Sequence, residues 1–506
     1  KAARKTLETD LKMLKEMEEE ASRFGGAVGL DSVSTFECII DRDSHYFMEM
    51  NTRVQVEHRV SELCYSLRFT NPDNSDDSFT VDSIVELMVL LARHGKKLPM
   101  PSRERREPAS LEARMNATDR ALKPHAGGVI TKWSDTIEGE IRDDQGICLH
   151  NPDTDVFMKY HLAGAYDSNI ALLLSTGSGR AESYAQMAEI LRQTRLSGEN
   201  LSTNVEFLYG LVSWLMGNNA EARPATNFVL PYLTAVGQLK ALSDNIDIVH
   251  AYNAIQKYEL EQDTDPAYQL ALKEIMTRKA SLLERGINRL FAEPHYLSGW
   301  LALNQEHFTI TKDGVEWLSN PVRILANLYR YLNMDARDGV PALYAIWDHD
   351  EELLQEALEF YDGLEAEIGI SDWQALEKAL KGKRGKDVFG ARLADVQAAH
   401  LGFQLGLDLL LILPYIGRKT GFFNLKVNSG LSVIIPERLR DRDTQEAAFK
   451  VLSPPPAISG NEITAPTGGM YYAREAPDRS AFIEAGQHFE VGDPLFIIEV
   501  MKMFNK

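Results

Sequence analysis

Two runs of strand-forming residues near the start of the chain are separated by a short polar turn centred on Asp43. This arrangement predicts a β-hairpin in which Glu37 stands directly opposite Glu49. Because side chains alternate between the two faces of a strand, Asn51 and Arg53 extend the face that holds the two glutamates. The opposite face is predicted to be apolar, with Phe36, Cys38, Met48 and Met50.

The opposed carboxylates of Glu37 and Glu49 require a partner. Two like charges directly opposite one another destabilise a sheet. A divalent cation between them reverses the sign of that effect, and carboxylates with substrate phosphates are the ligands that Mg²⁺ takes in ATP sites. The alternative is a hairpin whose polar face meets only water, and the alternation by itself favours that simpler alternative.

A second feature lies near the C-terminus, where Lys502 stands between two methionines at the end of an apolar, strand-like run. Methionine is usually a buried gap-filler, so a methionine-rich turn that happens to hold a lysine is an alternative. The segment 465–470 lies upstream, and two turn signals between it and Lys502, at 485–487 and 491–494, separate short strand-like runs. The pattern therefore predicts a small β domain that offers Lys502 at a hairpin tip.

This C-terminal segment resembles a biotin carboxyl carrier domain. The resemblance implies that Lys502 carries biotin and that a biotin protein ligase is a partner. Residues 473–482 interrupt the strand pattern with charges and a proline, and they resemble the protruding thumb of acetyl-CoA carboxylase-type carriers. An amide to Lys502 removes the charge of its amine and leaves a long tether.

The hairpin region is similar to the signature of biotin carboxylases, members of the ATP-grasp superfamily, through the run Glu49-Met50-Asn51-Thr52-Arg53-Val54-Gln55-Val56-Glu57-His58. The resemblance implies that Glu37 and Glu49 hold Mg²⁺ or Mn²⁺ with Asn51 beside it, and that ATP is a substrate. It implies that bicarbonate is surrounded by Arg53, Gln55, Val56 and Glu57. Glu57 would be the base, and Arg53 and Arg114 would be catalytic, with Arg114 facing bicarbonate and the biotin enolate.

The chain also departs from the carboxylase pattern. Arg59 replaces a proline that usually follows the histidine, and Leu172 stands where a lysine is expected. An additional polar stretch at residues 71–78 is predicted to be a solvated loop without a chemical role. These differences suggest a divergent branch of the family.

Length, charge and cysteine content fit a large protein of a reducing compartment. The 506 residues suffice for roughly two to four domains. The formal net charge of -20 argues against nucleic acid or an anionic membrane surface as a partner. The three cysteines are too few and too scattered for a disulfide framework or a zinc site. We expect the cytoplasm, or the mitochondrial matrix or a plastid if a targeting segment has been lost.

The sequence predicts an α+β multidomain chain. Residues 1–235 form the C-terminal part of an ATP-grasp biotin carboxylase, opening with an amphipathic helix that ends at Gly25-Gly26. A mainly helical middle domain at 236–450 includes a short strand pair around residue 313 and a strand-like stretch at 422–435. A proline-rich linker at 451–460 precedes an all-β carrier domain at 461–506. The apolar run 401–416 contains Asp408 and is too short for a bilayer span, so we expect buried core.

The family comparison also predicts that both ends are incomplete. No phosphate-cradling loop precedes the first helix, and carriers of this type continue beyond the biotinyl lysine. In acyl-CoA carboxylase α subunits, the region between carboxylase and carrier docks the carboxyltransferase. We expect the middle domain to have that duty, and a structural spacer is the alternative.

Together these features predict the α subunit of a biotin-dependent acyl-CoA carboxylase. Such a subunit carboxylates biotin on Lys502 with ATP and bicarbonate, and a carboxyltransferase subunit or domain passes the carboxyl group to acetyl-CoA, propionyl-CoA or a related acyl-CoA. An oligomeric complex is expected. The alternative is a non-catalytic biotin carrier or scaffold component that keeps the fold without the activity.

Overall fold

The structure is a computed structural model with side chains. It describes most of the chain, and the described residues are 2–41, 44–125, 128–143, 150–151, 153–154, 156–157, 159–162, 168–262, 265–311, 314–335, 345–453, 470–476, 478–490, 492–500 and 503–505.

The N-terminal region begins with a long helix that packs beside the predicted hairpin. Its elements are α1 (Ala2–Val28), β1 (Thr35–Asp41), β2 (Ser44–Asn51), α2 (His58–Cys64), β3 (Tyr65–Asn71), β4 (Asn74–Val81), α3 (Ile84–His94) and β5 (Ser102–Arg105). The strands β1 and β2 pair with each other, and β3 is central in a three-stranded sheet of order β4-β3-β5. An ion pair between Arg103 and Glu18 at 2.7 Å joins that sheet to α1.

The next region is built around a buried strand. Its elements are β6 (Ala109–Asn116), β7 (Val129–Trp133), β8 (Ile141–Asp143), β9 (His150–Asn151), β10 (Val156–Phe157), β11 (Tyr160–His161), β12 (Asn169–Gly177), α4 (Arg180–Gln193), β13 (Leu196–Glu199) and α5 (Val205–Asn218). The strand β12 lies between β6 and β8, while β7 lies between β11 and β13. Helix α4 packs on β12 and β6, which buries one face of that sheet.

The middle region is mainly helical, as predicted. Its helices are α6 (Val229–Ser243), α7 (Ile248–Leu260), α8 (Pro266–Ala292), α9 (Pro294–Leu303), α10 (Pro321–Tyr331), α11 (Asp348–Ile368), α12 (Trp373–Lys381), α13 (Lys383–Phe389), α14 (Leu393–Gln404), α15 (Ile412–Lys419) and α16 (Arg442–Leu452). Proline at the first turn of α8, α9 and α10 favours their start, because the missing N–H would have no helical partner there.

Two short strand pairs accompany these helices. The predicted pair around residue 313 is confirmed as β14 (Phe308–Ile310) and β15 (Val315–Trp317). In the stretch 422–435 only β16 (Lys426–Val427) and β17 (Val433–Ile434) are strands, so the prediction of extended structure there was largely wrong.

One hydrophobic core runs from β6 to α16. The predicted domain boundary at residue 235 lies inside α6, and α5 packs extensively against α9. Glycine permits this close approach, because a Cβ at Gly210 would meet the backbone carbonyl of His295 and a Cβ at Gly217 would meet that of Ala302. The carboxylase-like and middle regions therefore share their interior in this structure.

The C-terminal region contains a small antiparallel sheet of order β18-β19-β20. Its strands are β18 (Met470–Tyr472), β19 (Ile497–Val500) and β20 (Met503–Asn505), and Val500 faces Met503. Lys502 and residues 454–460 of the predicted linker 451–460 lie outside the described residues. The predicted start of the linker was wrong, because Val451 and Leu452 belong to α16.

Two local predictions were wrong. Helix α1 continues through Gly25-Gly26 to Val28. Residues 71–78 are not a loop, since most of them belong to the β3–β4 hairpin, where the rings of Phe69 and Phe79 stack at 5.1 Å.

The apolar run 401–416 is mostly core, as predicted. Leu405, Leu407, Leu409, Leu410, Leu413 and Ile416 are buried, although Leu401 is exposed. Within the described ranges, no single helix is long and apolar enough to cross a membrane; the segments Lys383–Gln404 and Leu407–Lys419, bent by 42°, meet those criteria only as a pair.

Candidate functional site

The hairpin of β1 and β2 has the predicted register at its functional end. Glu37 faces Glu49, and Thr35 faces Asn51. The register shifts by one residue beyond Glu37, as in a β-bulge, so the two strands differ by one residue in length.

The bulge changes which residues form the apolar face. Cys38 faces Phe47, where Met48 was predicted. The ring of Phe47 lies 4.9 Å from that of Phe36 and 5.1 Å from that of Phe24 on α1. Packing of aromatic rings between helix and hairpin therefore fixes the polar face on the other side.

The carboxylates of Glu37 and Glu49 converge on one point. The side-chain nitrogen of Asn51 donates to Glu37 at 2.8 Å and to Glu49 at 3.1 Å. The amide of Gln55 also donates to Glu37. Two carboxylate oxygens directed at one positive partner suit a hard divalent cation. The residues predicted as metal ligands are thus brought together.

Among the described residues, no group of three or more His, Cys, Asp or Glu side chains is arranged to hold a metal ion. A cation at Glu37 and Glu49 would have two protein carboxylates and the amide of Asn51. Magnesium commonly binds through one or two carboxylates and completes its shell with water and substrate phosphates. The donor set therefore fits a nucleotide-bound cation.

Glu57 and Arg114 meet although they are far apart in sequence. Arg114 Nη1 lies 3.7 Å from Glu57 Oε1, and both side chains are partly exposed. Such an exposed pair contributes little to folding. The Glu57–Arg114 pair matters because it brings the loop after β2 next to the strand β6.

The residues predicted to surround bicarbonate are only partly gathered. Arg53, Gln55 and Glu57 line a cavity of about 770 Å³, whereas Val56 is exposed and does not line it. Among the described residues, the guanidinium of Arg53 donates only to the carbonyl of Val54, at 3.4 Å. Arg53 therefore keeps most of its hydrogen-bonding capacity for an anion.

Glu112 belongs to this site, although the sequence analysis assigned it no role. It lies two residues before Arg114 on β6 and so shares its face. Burial, reinforced by the nearby charge of Glu57, raises the pKa of Glu112, and Arg114 opposes that shift. Perturbed carboxyl groups of this kind are enriched at functional sites. The two-residue spacing from Arg114 is the sequence signal that could have found it.

Asn204 holds the strand that carries Arg114. Its side chain accepts a hydrogen bond from the backbone N–H of Asn116 at 2.7 Å and donates to the backbone carbonyl of Arg114 at 3.0 Å. Its own backbone N–H donates to the carbonyl of Asn116 at 3.0 Å. The buried Asn204 therefore acts as a short additional strand at the edge of β6.

The two departures from the expected pattern have structural explanations. Arg59 donates to the buried carboxylate of Glu62 at 2.6 Å, and the other oxygen of Glu62 accepts from the backbone N–H of Ile84 at 2.7 Å. Arg59 thus helps to hold α2 against the start of α3. Leu172 is buried on β12 directly opposite Arg114, so an apolar side chain lies beside the arginine where a lysine was expected.

The carrier-like segment is described only in part. Lys502 lies outside the described residues, while β19 and β20 on either side of it are paired. In residues 473–482, Arg474 pairs with Ala481, and the N–H of Phe482 donates to the carbonyl of Ala473 at 2.9 Å. The segment predicted to be a thumb therefore folds back on itself.

We expect Asn204→Ala to loosen β6 and with it Arg114. The substitution leaves the N–H of Asn116 and the carbonyl of Arg114 without their partner, and an unpaired buried polar group costs roughly 1–3 kcal/mol. Hydrogen exchange should show loss of protection at the amide of Asn116. Asn245→Ala, which removes an exposed amide bonded to a helix carbonyl, is the control. Unchanged exchange at Asn116 would contradict the role of Asn204.

Comparison with known proteins bears on the same region. Residues 2–67 match the model of the family described as carbamoyl-phosphate synthase L chain, ATP binding domain. The chain is 28% identical over 210 residues to the biotin carboxylase of Halalkalibacterium halodurans, covering 41% of this chain and 40% of that protein. It is 29% identical over 212 residues to the mitochondrial methylcrotonoyl-CoA carboxylase subunit alpha of Rattus norvegicus, covering 40% of this chain and 25% of that protein.

Among solved structures, the biotin carboxylase of Campylobacter jejuni in complex with beta-gamma-ATP is 26% identical and covers 40% of this chain and 39% of that chain. The TM-score of this match is 0.31. The chain spans only a quarter to two fifths of the length of the two curated relatives. The matched part of the chain is thus similar to an ATP-binding domain family and to biotin carboxylases, which are enzymes.

Proposed function

We propose that this chain is the carboxylase and carrier subunit of a biotin-dependent acyl-CoA carboxylase. It would use ATP and bicarbonate to carboxylate biotin on Lys502, and a carboxyltransferase would transfer the carboxyl group to acetyl-CoA, propionyl-CoA or a related acyl-CoA. The observation that supports this most strongly is the meeting of Glu57 with Arg114. Their pairing joins the signature loop to β6, and Gln55 of the same loop donates to Glu37, which faces Glu49.

The paired carboxylates have a role in charge compensation. Glu37 and Glu49, with Asn51, would hold Mg²⁺ or Mn²⁺, which when bound offsets the negative charge of ATP phosphates. Gln55 donates to Glu37, so it orients that carboxylate. The aromatic packing of Phe36 and Phe47 keeps the hairpin rigid behind them.

Bicarbonate would bind in the cavity lined by Arg53, Gln55 and Glu57. The planar guanidinium of Arg53 suits a carboxylate-like anion better than a lysine would. Glu57 would accept the proton of bicarbonate, so that the anion can attack phosphorus. Arg114 would stabilise negative charge that develops on the reacting oxygens, because a fixed cation in a preorganised site needs no rearrangement during the reaction.

Partners follow from the carrier role. A biotin protein ligase would modify Lys502, and the middle region would dock the carboxyltransferase in an oligomeric complex. The name of the Rattus norvegicus relative, a carboxylase subunit alpha, supports a partner chain. The segment 473–482, which folds back on itself, supports the resemblance to an acetyl-CoA carboxylase-type carrier.

Glu49→Gln should abolish bicarbonate-dependent ATP hydrolysis by the full-length protein. Glutamine keeps an oxygen for the bond from Asn51 but removes one metal-binding charge. The fold should survive, because one of two opposed like charges is lost. Steady-state ATPase assays and thermal denaturation measure the two effects.

Glu104→Gln, a change on the exposed strand β5, is the matched control and should keep the activity. Unchanged ATPase in Glu49→Gln would reject the metal role. A collapsed melting temperature would indicate that Glu49 is structural.

Arg53→Ala and Arg114→Ala should separate the two steps of the reaction in the full-length protein. Arg53 lies in the bicarbonate cavity, so its loss should lower both ATP hydrolysis and carboxylation of free biotin. Loss of Arg114 should lower carboxylation more than hydrolysis. Removing one charged donor from a preorganised site costs on the order of a hundredfold to a thousandfold in rate. Equal losses in Arg114→Ala together with normal ATPase in Arg53→Ala would refute this division of roles.

Lys502 should carry biotin when the full-length protein is made together with biotin ligase. Intact-mass measurement should show one added biotin, and streptavidin should detect it on a blot. Lys502→Arg should abolish the signal, and Lys506→Arg, four residues away, should keep it. Biotin on another lysine, or on none, would reject the carrier assignment.

A further inference from the structure

A polar cavity away from the carboxylase site lies between the sheet β11-β7-β13 and the helical middle region. Its volume is about 530 Å³, within the range of small-molecule sites. Its walls come from β7, the end of α4, α5, α8 and the end of α10. Four cationic side chains and one carboxylate line it: Lys132, Arg192, Arg195, Arg289 and Glu206.

Two of these cations already have acidic partners. Arg192 pairs with Glu189 at 2.5 Å and donates to the side-chain oxygen of Asn333 at 2.6 Å. Arg289 lies 3.8 Å from Glu293. These pairs hold two guanidinium groups in the cavity wall and balance their charges. The positive charge of the cavity therefore comes from the other two cations, Arg195 and Lys132.

Arg195 and Lys132 form no ion pair with any described residue. Arg195 donates through Nη1 to the carbonyls of Arg192 and Thr194 at the end of α4, at 2.9 and 3.3 Å. Its other guanidinium nitrogens make no hydrogen bond within the described part of the chain. Burial, assisted by the charges of Arg192 and Arg289, lowers the pKa of Arg195. Arg195 thus lies near two like charges and forms no ion pair of its own with a described residue, an arrangement typical of a ligand site.

The carboxyl of Glu206 does not fully balance the positive charge of Arg195 and Lys132. Burial, reinforced by the charge of Glu293, raises the pKa of Glu206 to about 7. Near neutral pH this carboxyl is therefore partly protonated. The net charge of the cavity stays positive.

We propose that this cavity binds a small oxyanion, a phosphate or a dicarboxylate, through the free edge of the Arg195 guanidinium and the ammonium of Lys132. A planar guanidinium matches two oxygens of such a group, and a lysine adds a point charge. Because the walls come from both the sheet β11-β7-β13 and the middle helices, the anion links the two regions. Binding should therefore raise the thermal stability of the protein.

Calorimetry and thermal denaturation of the full-length protein at neutral pH test the proposal with two probes, inorganic phosphate and malonate, against sodium chloride of equal ionic strength. We expect saturable binding and a higher melting temperature with at least one probe. Binding of phosphate alone identifies a phosphoryl group, and binding of malonate alone identifies a carboxylate ligand. No saturable binding of either, or an equal effect of chloride, would overturn the proposal.

Variants locate the site. Arg195→Gln and Lys132→Gln should each weaken binding roughly tenfold or more, as expected for loss of a charged hydrogen bond. Arg440→Gln, which changes an exposed arginine beside Glu437, should leave it unchanged. Because Arg195 also bonds the end of α4, the exposed Lys132 decides the outcome if Arg195→Gln does not fold. Wild-type affinity in Lys132→Gln would then refute the site. Since the readout is binding, carboxylase activity does not enter the result.

Discussion

The pairing of the buried strand β12 with β6 is the constraint on which the rest of the structure depends. Ile170, Leu172, Leu173 and Leu174 are almost completely buried, and each such side chain contributes roughly 1.5–3 kcal/mol. This burial stabilises the strand in its position between β6 and β8 under helix α4. That position aligns Arg114 with Leu172 and directs the arginine toward Glu57. Asn204 secures the other edge of β6.

The candidate site gathers charges that oppose folding when they lack partners. Glu37 faces Glu49 across the hairpin, and the charge of Glu57 adds to the effect of burial on Glu112. Asn51 and Arg114 offset part of this repulsion in the absence of ligands. The two opposed carboxylates are complementary to a cation, and the guanidinium of Arg53 in the cavity wall is complementary to an anion. ATP-dependent carboxylation requires both kinds of ligand in one cleft.

The proposed oxyanion site lies where the two large regions share one hydrophobic core. Helices α5 and α9 approach closely at glycines, so the middle helices are part of the same core as the sheet around β12. The cavity with Arg195 lies along this junction. An anion bound there would stabilise the contact between the two regions, and its site is separate from the hairpin. Binding and catalysis can therefore be measured separately.

Local sequence patterns were enough to predict the hairpin, because alternation and a polar turn place Glu37 opposite Glu49. They also indicated the helical middle region through apolar spacing. That Glu57 meets Arg114, that Glu112 joins them and that Asn204 holds β6 could not be predicted, because these contacts link segments that are distant in the sequence. Residues 74–78 belong to the strand β4 despite their polarity, because pairing with β3 supplies backbone hydrogen bonds that no local pattern encodes. Long-range packing thus assembled the site from locally predictable parts.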